Sequence, residues 1–236
     1  MIDVRRAADR YRGGDAAAGI DTRHAFSFSG FYDPGNVSFG LLVACNEERL
    51  APGAGFAEHA HRDTEIVTWV VEGELEHRGA DGAAVRLRAG DAQAMSAGSG
   101  VRHVEANAGA GPLRFLQMWL HPGDFGVPPG HATATAPVPE GPGLTLLAGS
   151  APDAPLPLRQ PAATLWAGRP CGPDELTLPR ARFGYVHVLR GTVHLAGEAL
   201  GPGDAARLTD EASPALSTPG PAEYVYWAMD AEPSFG

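Results

Sequence analysis

The chain says the same thing twice. WVVEGELEH, ending at His77, is echoed by YVHVLRGTVHL, ending at Leu195, and LRAGDAQAM, ending at Met95, by LGPGDAARL, ending at Leu208. In this alignment Gly73 corresponds to Gly191 and Gly90 to Gly203. A strand–glycine–strand unit can recur by chance in any β-rich chain, but two landmarks in the same order point to two like halves. In each half a β-branched and aromatic run stops at a glycine and resumes, as two strands about a tight turn do. The 31 glycines and 21 prolines among 236 residues are mostly spread as punctuation between short apolar runs. Helical periodicity is weak throughout, and only RRAADRY near the N-terminus suggests a short helical segment. The expected fold is all-β, two small antiparallel domains built as barrels, β-sandwiches or double-sheet jelly rolls.

The strands expected in the first half are HAFSFSG from His24 with a turn at Asp33-Pro34, VSFGLLVACNEE, TEIVTWVVE and ELEHRG about Gly73, AVRLR, DAQAM and LRFLQMWL. From Pro128 to Pro161 the chain is proline-rich and mostly small or polar, which reads as a linker in which LTLL alone could pair as a strand. The expected units are therefore 1–127, a linker 128–161, and 162–236. A net charge of −10 argues against nucleic acid or an anionic membrane as partner. Two widely spaced cysteines imply no disulfide framework. The N-terminus lacks the apolar core of a signal peptide and no apolar run is long enough to span a bilayer. These features give the expectation of a soluble cytoplasmic protein, and a monomer suffices if the halves cover one another.

The chemistry gathers in HAHRDTE, His59 to Glu65. In a strand, residues two apart face the same way. His59, His61 and Glu65 share parity if no bulge intervenes, and Asp63 marks a possible irregularity. GSGVRHVEANAG supplies His103 and Glu105, again two apart. If the two strands are neighbours, three imidazoles and a carboxylate converge, the donor set of a transition-metal site. Parity leaves Glu65 and Glu105 both open as the carboxylate. An isolated H-x-H is about as readily a surface pair; the distant H-x-E tips the balance. Glu58 falls on the opposite, solvent-facing parity. His77 reads first as a hairpin residue, and His24, His121 and His131 as packing or exposed residues.

Gly53, five residues, His59-Ala60-His61, three residues and Glu65 resemble the first cupin motif, with Gly73 one residue late. His103 and Asn107 match the end of the second motif, with two extra residues after Gly98 and Ser96 in place of the usual proline. HAFSFSGFYDP, GFAEHAHRDTEIVTWVVEGELEHRG and AGDAQAMSAGSGVRHVEANAG together resemble the pirin family of bicupins, densely from His24 to Asp124 and thinly beyond. The resemblance implies metal ligation by His59, His61, His103 and Glu105, with Glu65 close by but not a ligand. Val104, where the family often has serine, has opposite parity to the ligands, so it is expected to touch the barrel core or the partner sheet rather than the metal. Counting from the landmark glycines puts Thr177, Pro179, Phe183, Leu216 and Thr218 at the matching positions of the second half. None is a ligand, so that half reads as a scaffold.

Bacterial proteins similar to this chain oxidise flavonols such as quercetin. The resemblance therefore implies a metal-dependent quercetin 2,3-dioxygenase that takes a planar polyphenol and dioxygen and releases carbon monoxide. It uses one divalent ion, Fe(II) first, with nickel, manganese, cobalt or zinc as the other choices. Glu105 doubles as general base, and Phe31, Trp69, Met95 and Met118 are candidate apolar pocket residues. The other implied role is a non-enzymatic, metal-dependent partner of a regulatory or metabolic protein. Another cupin chemistry, such as sugar isomerisation, fits these motifs less well.

Overall fold

The computed structural model describes residues 1–211 and 213–234. Its strands form two antiparallel domains of like design, each a seven-stranded and a four-stranded sheet. Among the described residues the only parallel pairing is the short contact of Ala148–Gly149 with Leu156–Pro157. In the first domain the large sheet runs, edge to edge, through strands Gly130–Ala134, Ala92–Ser96, Glu65–Glu72, Leu113–Leu120, Leu42–Leu50, Ile20–His24 and Tyr11–Asp15. The small sheet runs through Gly55–His61, Val101–Asn107, Glu74–Gly79 and Ala84–Arg88. The second domain repeats this plan with the strands from Gly141 onward and with Ile2–Arg5.

Side-chain patterning explains the layering. IVTWVV, residues 66–71, is buried at every position, because the large sheet is covered on both faces. VRHVEAN, residues 101–107, alternates buried with half-buried or exposed positions from Arg102 on, as a sheet with one wetter face does. The two large sheets pack back to back through Cys45, Val67, Trp69 and Met118 on one side and Leu165, Tyr185, Val225 and Trp227 on the other. Trp69 Nε1 reaches across to Glu223 at 2.6 Å. At the same interface the Glu47 carboxylate accepts from Arg10 at 2.7 Å, Arg114 at 2.8 Å and His187 at 3.0 Å. Burial alone would push this carboxyl up, but the His187 hydrogen bond and the two guanidinium charges hold it well below the carboxylate range.

The internal repeat is real in three dimensions. Gly73 and Gly191 both hold positive φ, at 83° and 73°, and a Cβ on either would strike the backbone of Pro112 or Pro221. Val70 and Val188 each close the same pair of backbone bonds, to Gly90 and Asp91 in one half and to Gly203 and Asp204 in the other. The halves also exchange strands. Ile2–Arg5 pairs with Ala205–Leu208 of the second domain, and Gly130–Ala134 with Ala92–Ser96 of the first. Each leading strand thus covers an otherwise open sheet edge of the other half.

Three local expectations differ from the structure. The strand Ile20–His24 ends where HAFSFSGFYDP begins; the latter is a loop whose Asp33 and Ser27 satisfy each other's backbone and side-chain groups. RRAADRY holds only a single 3-10 turn, Ala7–Asp9. The proline-rich segment 128–161 is more than a connection: besides Gly130–Ala134 it contributes Gly141–Gly149, which includes LTLL, and Leu156–Pro157 to the second domain's large sheet.

Candidate metal centre

His59 and His61 come from one edge of the small sheet and His103 from the next strand, with His103 directly opposite His59. Pairing then skips: Glu105 stands opposite Phe56, so the strand Gly55–His61 carries an extra residue at this point. Such a bulge re-aims side chains without ending the pairing. Gly55 admits the close approach, since a Cβ there would lie 2.7 Å from the Glu105 carbonyl oxygen. Ring centroids are 4.4 Å apart for His59–His103, 4.8 Å for His59–His61 and 4.9 Å for His61–His103. One nitrogen from each of the three falls within 4.8 Å of the others.

The electronic state suits a cation. His59 Nδ1 lies 2.9 Å from the Ala57 carbonyl, which can only accept, so Nδ1 carries the proton and Nε2 offers its lone pair. Burial, then the neighbouring His59, lowers His61 to about 4. Burial, then His59, His77 and His61, lowers His103 to about 3. Both rings are therefore neutral at neutral pH. His61 Nε2 and both ring nitrogens of His103 are buried with no hydrogen-bond partner. Buried polar atoms left unsatisfied in this way are rare unless something occupies the space between them. The donor set, all imidazole and carboxylate, fits a divalent transition metal.

Glu105 is 1 % exposed and joins His103 and His77 in a second group of donors that also lies within 4.8 Å. Burial raises its carboxyl, and amide hydrogen bonds partly offset that. Gln117 Nε2 donates to its two oxygens at 2.9 and 3.1 Å, and Gln93 Nε2 at 3.3 Å. His131 Nε2, from the exchanged strand, lies 3.0 Å from Gln93 Oε1, and its ring stacks on His77 at 4.6 Å. His77 is lowered to about 4, first by burial and then by His131. A cavity of about 830 Å³ opens beside these groups, lined by His61, His77, His103, His131, Met95 and Val85 among others. A smaller one, about 480 Å³, reaches His59 and His61 from the side of Trp119 and His121.

Glu65 does not join the cluster. A turn with Asp63 at φ 48° separates it from His61, and it begins a strand of the other sheet, where Ser96 donates to it at 2.7 Å. The shared parity of His59 and Glu65 therefore carries no shared face. Glu58 is exposed and paired with Arg102, as its parity implies. Val104 lies on the outer face of the small sheet, half-buried and opposite the exposed Arg78, rather than against the core or the partner sheet. Met95 lines the large cavity, whereas Trp69 and Met118 belong to the inter-domain core and Phe31 stacks on Tyr11. Of the second-half positions, Leu216 and Thr218 are buried and none offers a metal-ligand set among the described residues.

The residues that sequence reasoning underweighted are His77, His131, Gln93 and Gln117. A signal existed for three of them. Gln93 and Gln117 are lone amides in runs otherwise apolar or small, DAQAM and FLQMW, and a buried amide needs partners. His77 shares the parity of the buried Leu75. His131 carried no signal, because nothing local says that a strand of the proline-rich segment crosses to the other domain.

Comparison with known proteins follows the same lines. The pirin family model matches residues 4–120, and the model of the quercetinase C-terminal cupin domain matches residues 150–226. A pirin-like protein of Caulobacter vibrioides is 38% identical over 90% of this chain and 92% of its own. The chain belongs to the pirin family. A Mycobacterium tuberculosis protein with the provisional name quercetin 2,3-dioxygenase is 37% identical across 98% of this chain and 96% of its own. The Escherichia coli quercetin 2,3-dioxygenase is 40% identical over 55% of each chain. The crystal structure of the E. coli pirin YhhW in complex with nickel(II) superposes with a TM-score of 0.89 at 28% identity, covering 98% of this pirin and 100% of that chain.

Proposed function

We propose that this pirin is a metal-dependent flavonol dioxygenase of the quercetin 2,3-dioxygenase type, with His59, His61, His103 and Glu105 holding the ion. The observation that carries the reading is the conjunction of unpartnered, neutral imidazoles with an open cavity beside them. A structural ion site is closed, while a catalytic one keeps access. About 830 Å³ falls within the range of small-molecule pockets, which favours a small planar substrate over a purely protein-binding role. When bound, the ion supplies Lewis acidity and, if redox-capable, electron transfer between substrate and dioxygen.

The chain's own residues supply the rest. Glu105 accepts the proton of the flavonol 3-hydroxyl, and burial makes its carboxylate a better base than an exposed one. Gln117 and Gln93 fix the carboxylate in place by three hydrogen bonds. Met95, Val85 and Val101 offer apolar contact to the substrate ring, and His77 and His131 form the polar wall. Cleavage then releases carbon monoxide and leaves an ester. Fe(II) is the ion we favour, with nickel, manganese, cobalt and zinc as alternatives that the donor set also accepts.

The same reading assigns the chemistry to residues 1–127, closed as a jelly-roll or barrel, and a scaffold role to 162–236, with 128–161 lending strands to both. A monomeric, cytoplasmic protein is consistent with two unbridged cysteines and with the absence, among described residues, of any helix long and apolar enough to cross a membrane. The test is to load metal-free protein separately with iron, nickel, manganese and zinc, and follow flavonol loss with oxygen uptake. Turnover with a redox-capable metal is expected, and His61→Ala should lower it by more than the roughly hundredfold that loss of a supporting residue causes. Absence of turnover with every metal overturns the enzyme in favour of a metal-dependent binding protein.

A further inference from the structure

A second feature lies between the domains, away from the histidines. A cavity of about 70 Å³ separates the N-terminal segment from the second domain's large sheet, lined by Arg5, Arg6, Arg10, Asn36, Tyr185 and Arg207 among others. Three of its arginines have carboxylate partners. Arg5 pairs with Asp3, Arg6 with Asp204 and Glu198, and Arg10 with Glu47. Glu47 is already shared with Arg114 and His187.

Arg207 differs. It is 6 % exposed and forms no ion pair with any described carboxylate. Its guanidinium stacks on Phe26 at 4.6 Å and Phe39 at 5.6 Å and donates to Asn36. Its Nε and the Nε of Arg10 are buried without a partner, and the hydroxyl of Tyr185, which is 1 % exposed, has only the Cys45 thiol beside it. The unmet groups around this space include two guanidinium Nε donors, and the carboxylate closest in effect to Arg207, Asp3, is ion-paired with Arg5. A buried cation with no carboxylate in direct contact is costly enough that a bound anion is its simplest relief. One water occupies roughly 10–15 Å³ on this measure, so the space admits about five small atoms. That suits a tetrahedral oxyanion and excludes a nucleotide. The acidic member of the lining, Asp9, is exposed at the rim.

We propose that this cavity binds a small inorganic oxyanion of the sulfate or phosphate class, held by Arg207, Arg10 and the Tyr185 hydroxyl. Arg10 comes from the N-terminal segment, and Tyr185 and Arg207 from strands Phe183–Arg190 and Ala205–Thr209. A ligand gripped by both clamps the first residues of the chain onto the second domain, next to the exchanged strand Ile2–Arg5. Occupancy therefore stabilises the two-domain assembly by mass action and leaves the histidine site untouched.

The experiment is calorimetric titration of the full-length protein with sulfate at fixed ionic strength, alongside thermal unfolding at the same sulfate concentrations. One saturable site is expected, with Tm rising in proportion to the logarithm of sulfate above the dissociation constant. Arg207→Leu keeps the apolar stacking volume and should weaken binding on the order of tenfold or more, the worth of a charge-assisted hydrogen bond. Tyr185→Phe should weaken it by less while preserving the fold. Crystals soaked in selenate should show anomalous signal between Arg207 and Tyr185. Sulfate-independent Tm in the native protein, or an equal rise in Arg207→Leu, overturns the proposal, as does selenate density only at the surface.

Discussion

The two halves of this pirin have the same strands in the same order, yet the space between their sheets is filled in opposite ways. Register makes the comparison residue by residue. Val70 and Val188 correspond, so Gln117 stands where Tyr226 does, Thr68 where Val186 does and Gln93 where Ala206 does. Counting four residues from the landmark glycines sets His77 against Leu195. In the second half Val186, Leu195, Leu216 and Tyr226 close into a continuous apolar cluster. In the first half the apolar cluster of Leu50, Val70, Leu75 and Phe115 fills only part of the space, and the remainder holds histidines and amides. One frame can thus be completed by packing or left incomplete for a ligand. The filled copy and the back-to-back interface support the unfilled one.

The largest stability effect should come from making the filled half imitate the other. Leu195→His removes a buried leucine and leaves an imidazole with no partner among Leu216, Val193 and Tyr226. A loss of about 3–5 kcal/mol is expected from denaturant unfolding, combining the lost burial with an unsatisfied polar group. Metal analysis should still find one ion per chain. A second bound ion in this variant would mean that the second half is a dormant site rather than a packed one.

The reverse graft is milder. Gln93→Ala copies Ala206 into the metal half and removes one amide from Glu105 and the acceptor of His131. Gln117 still holds the carboxylate, so metal affinity or turnover should fall about 10- to 100-fold, the usual effect of losing a supporting group behind a ligand. Metal-binding titrations and oxygen uptake measure this, and an unchanged affinity would show that Gln117 alone orients Glu105.

How much of this contrast could be read in the sequence depends on how local each feature is. The repeated glycine landmarks gave both halves, because a positive φ against a neighbouring backbone is a local demand that only glycine meets easily. His59, His61 and His103 were legible from alternation within single strands. Glu65 was misleading by the same rule, since alternation holds only while the strand lasts and Asp63 ends it. The histidine and amide wall was hidden because it is assembled from four strands of two sheets, one of them exchanged. Parity says which way a side chain points but not which sheet lies opposite. Trp69 illustrates this: it sits in the strand beside the site yet faces the domain interface.

The smallest effect concerns the metal-free protein, where the unfilled half should be the weaker one. His103 has two buried, unpartnered nitrogens, whereas its counterpart Leu216 has none. Replacing it, His103→Leu, should raise the stability of metal-free protein by about 1 kcal/mol while abolishing the stabilisation that added metal gives. The pH dependence has a definite sign. His61 and His77 sit at about 4 and His103 at about 3, below the ordinary 6.5, chiefly because burial disfavours their charged forms. Between those values and 6.5 the unfolded chain binds protons that the folded one refuses, so stability contributed by these rings is complete above pH 6.5 and declines as acid is added. Unfolding midpoints measured across that window should fall less steeply in His103→Leu than in the native sequence. Equal slopes would mean that the histidines do not carry the acid sensitivity, and that the contrast between the halves lies in packing alone.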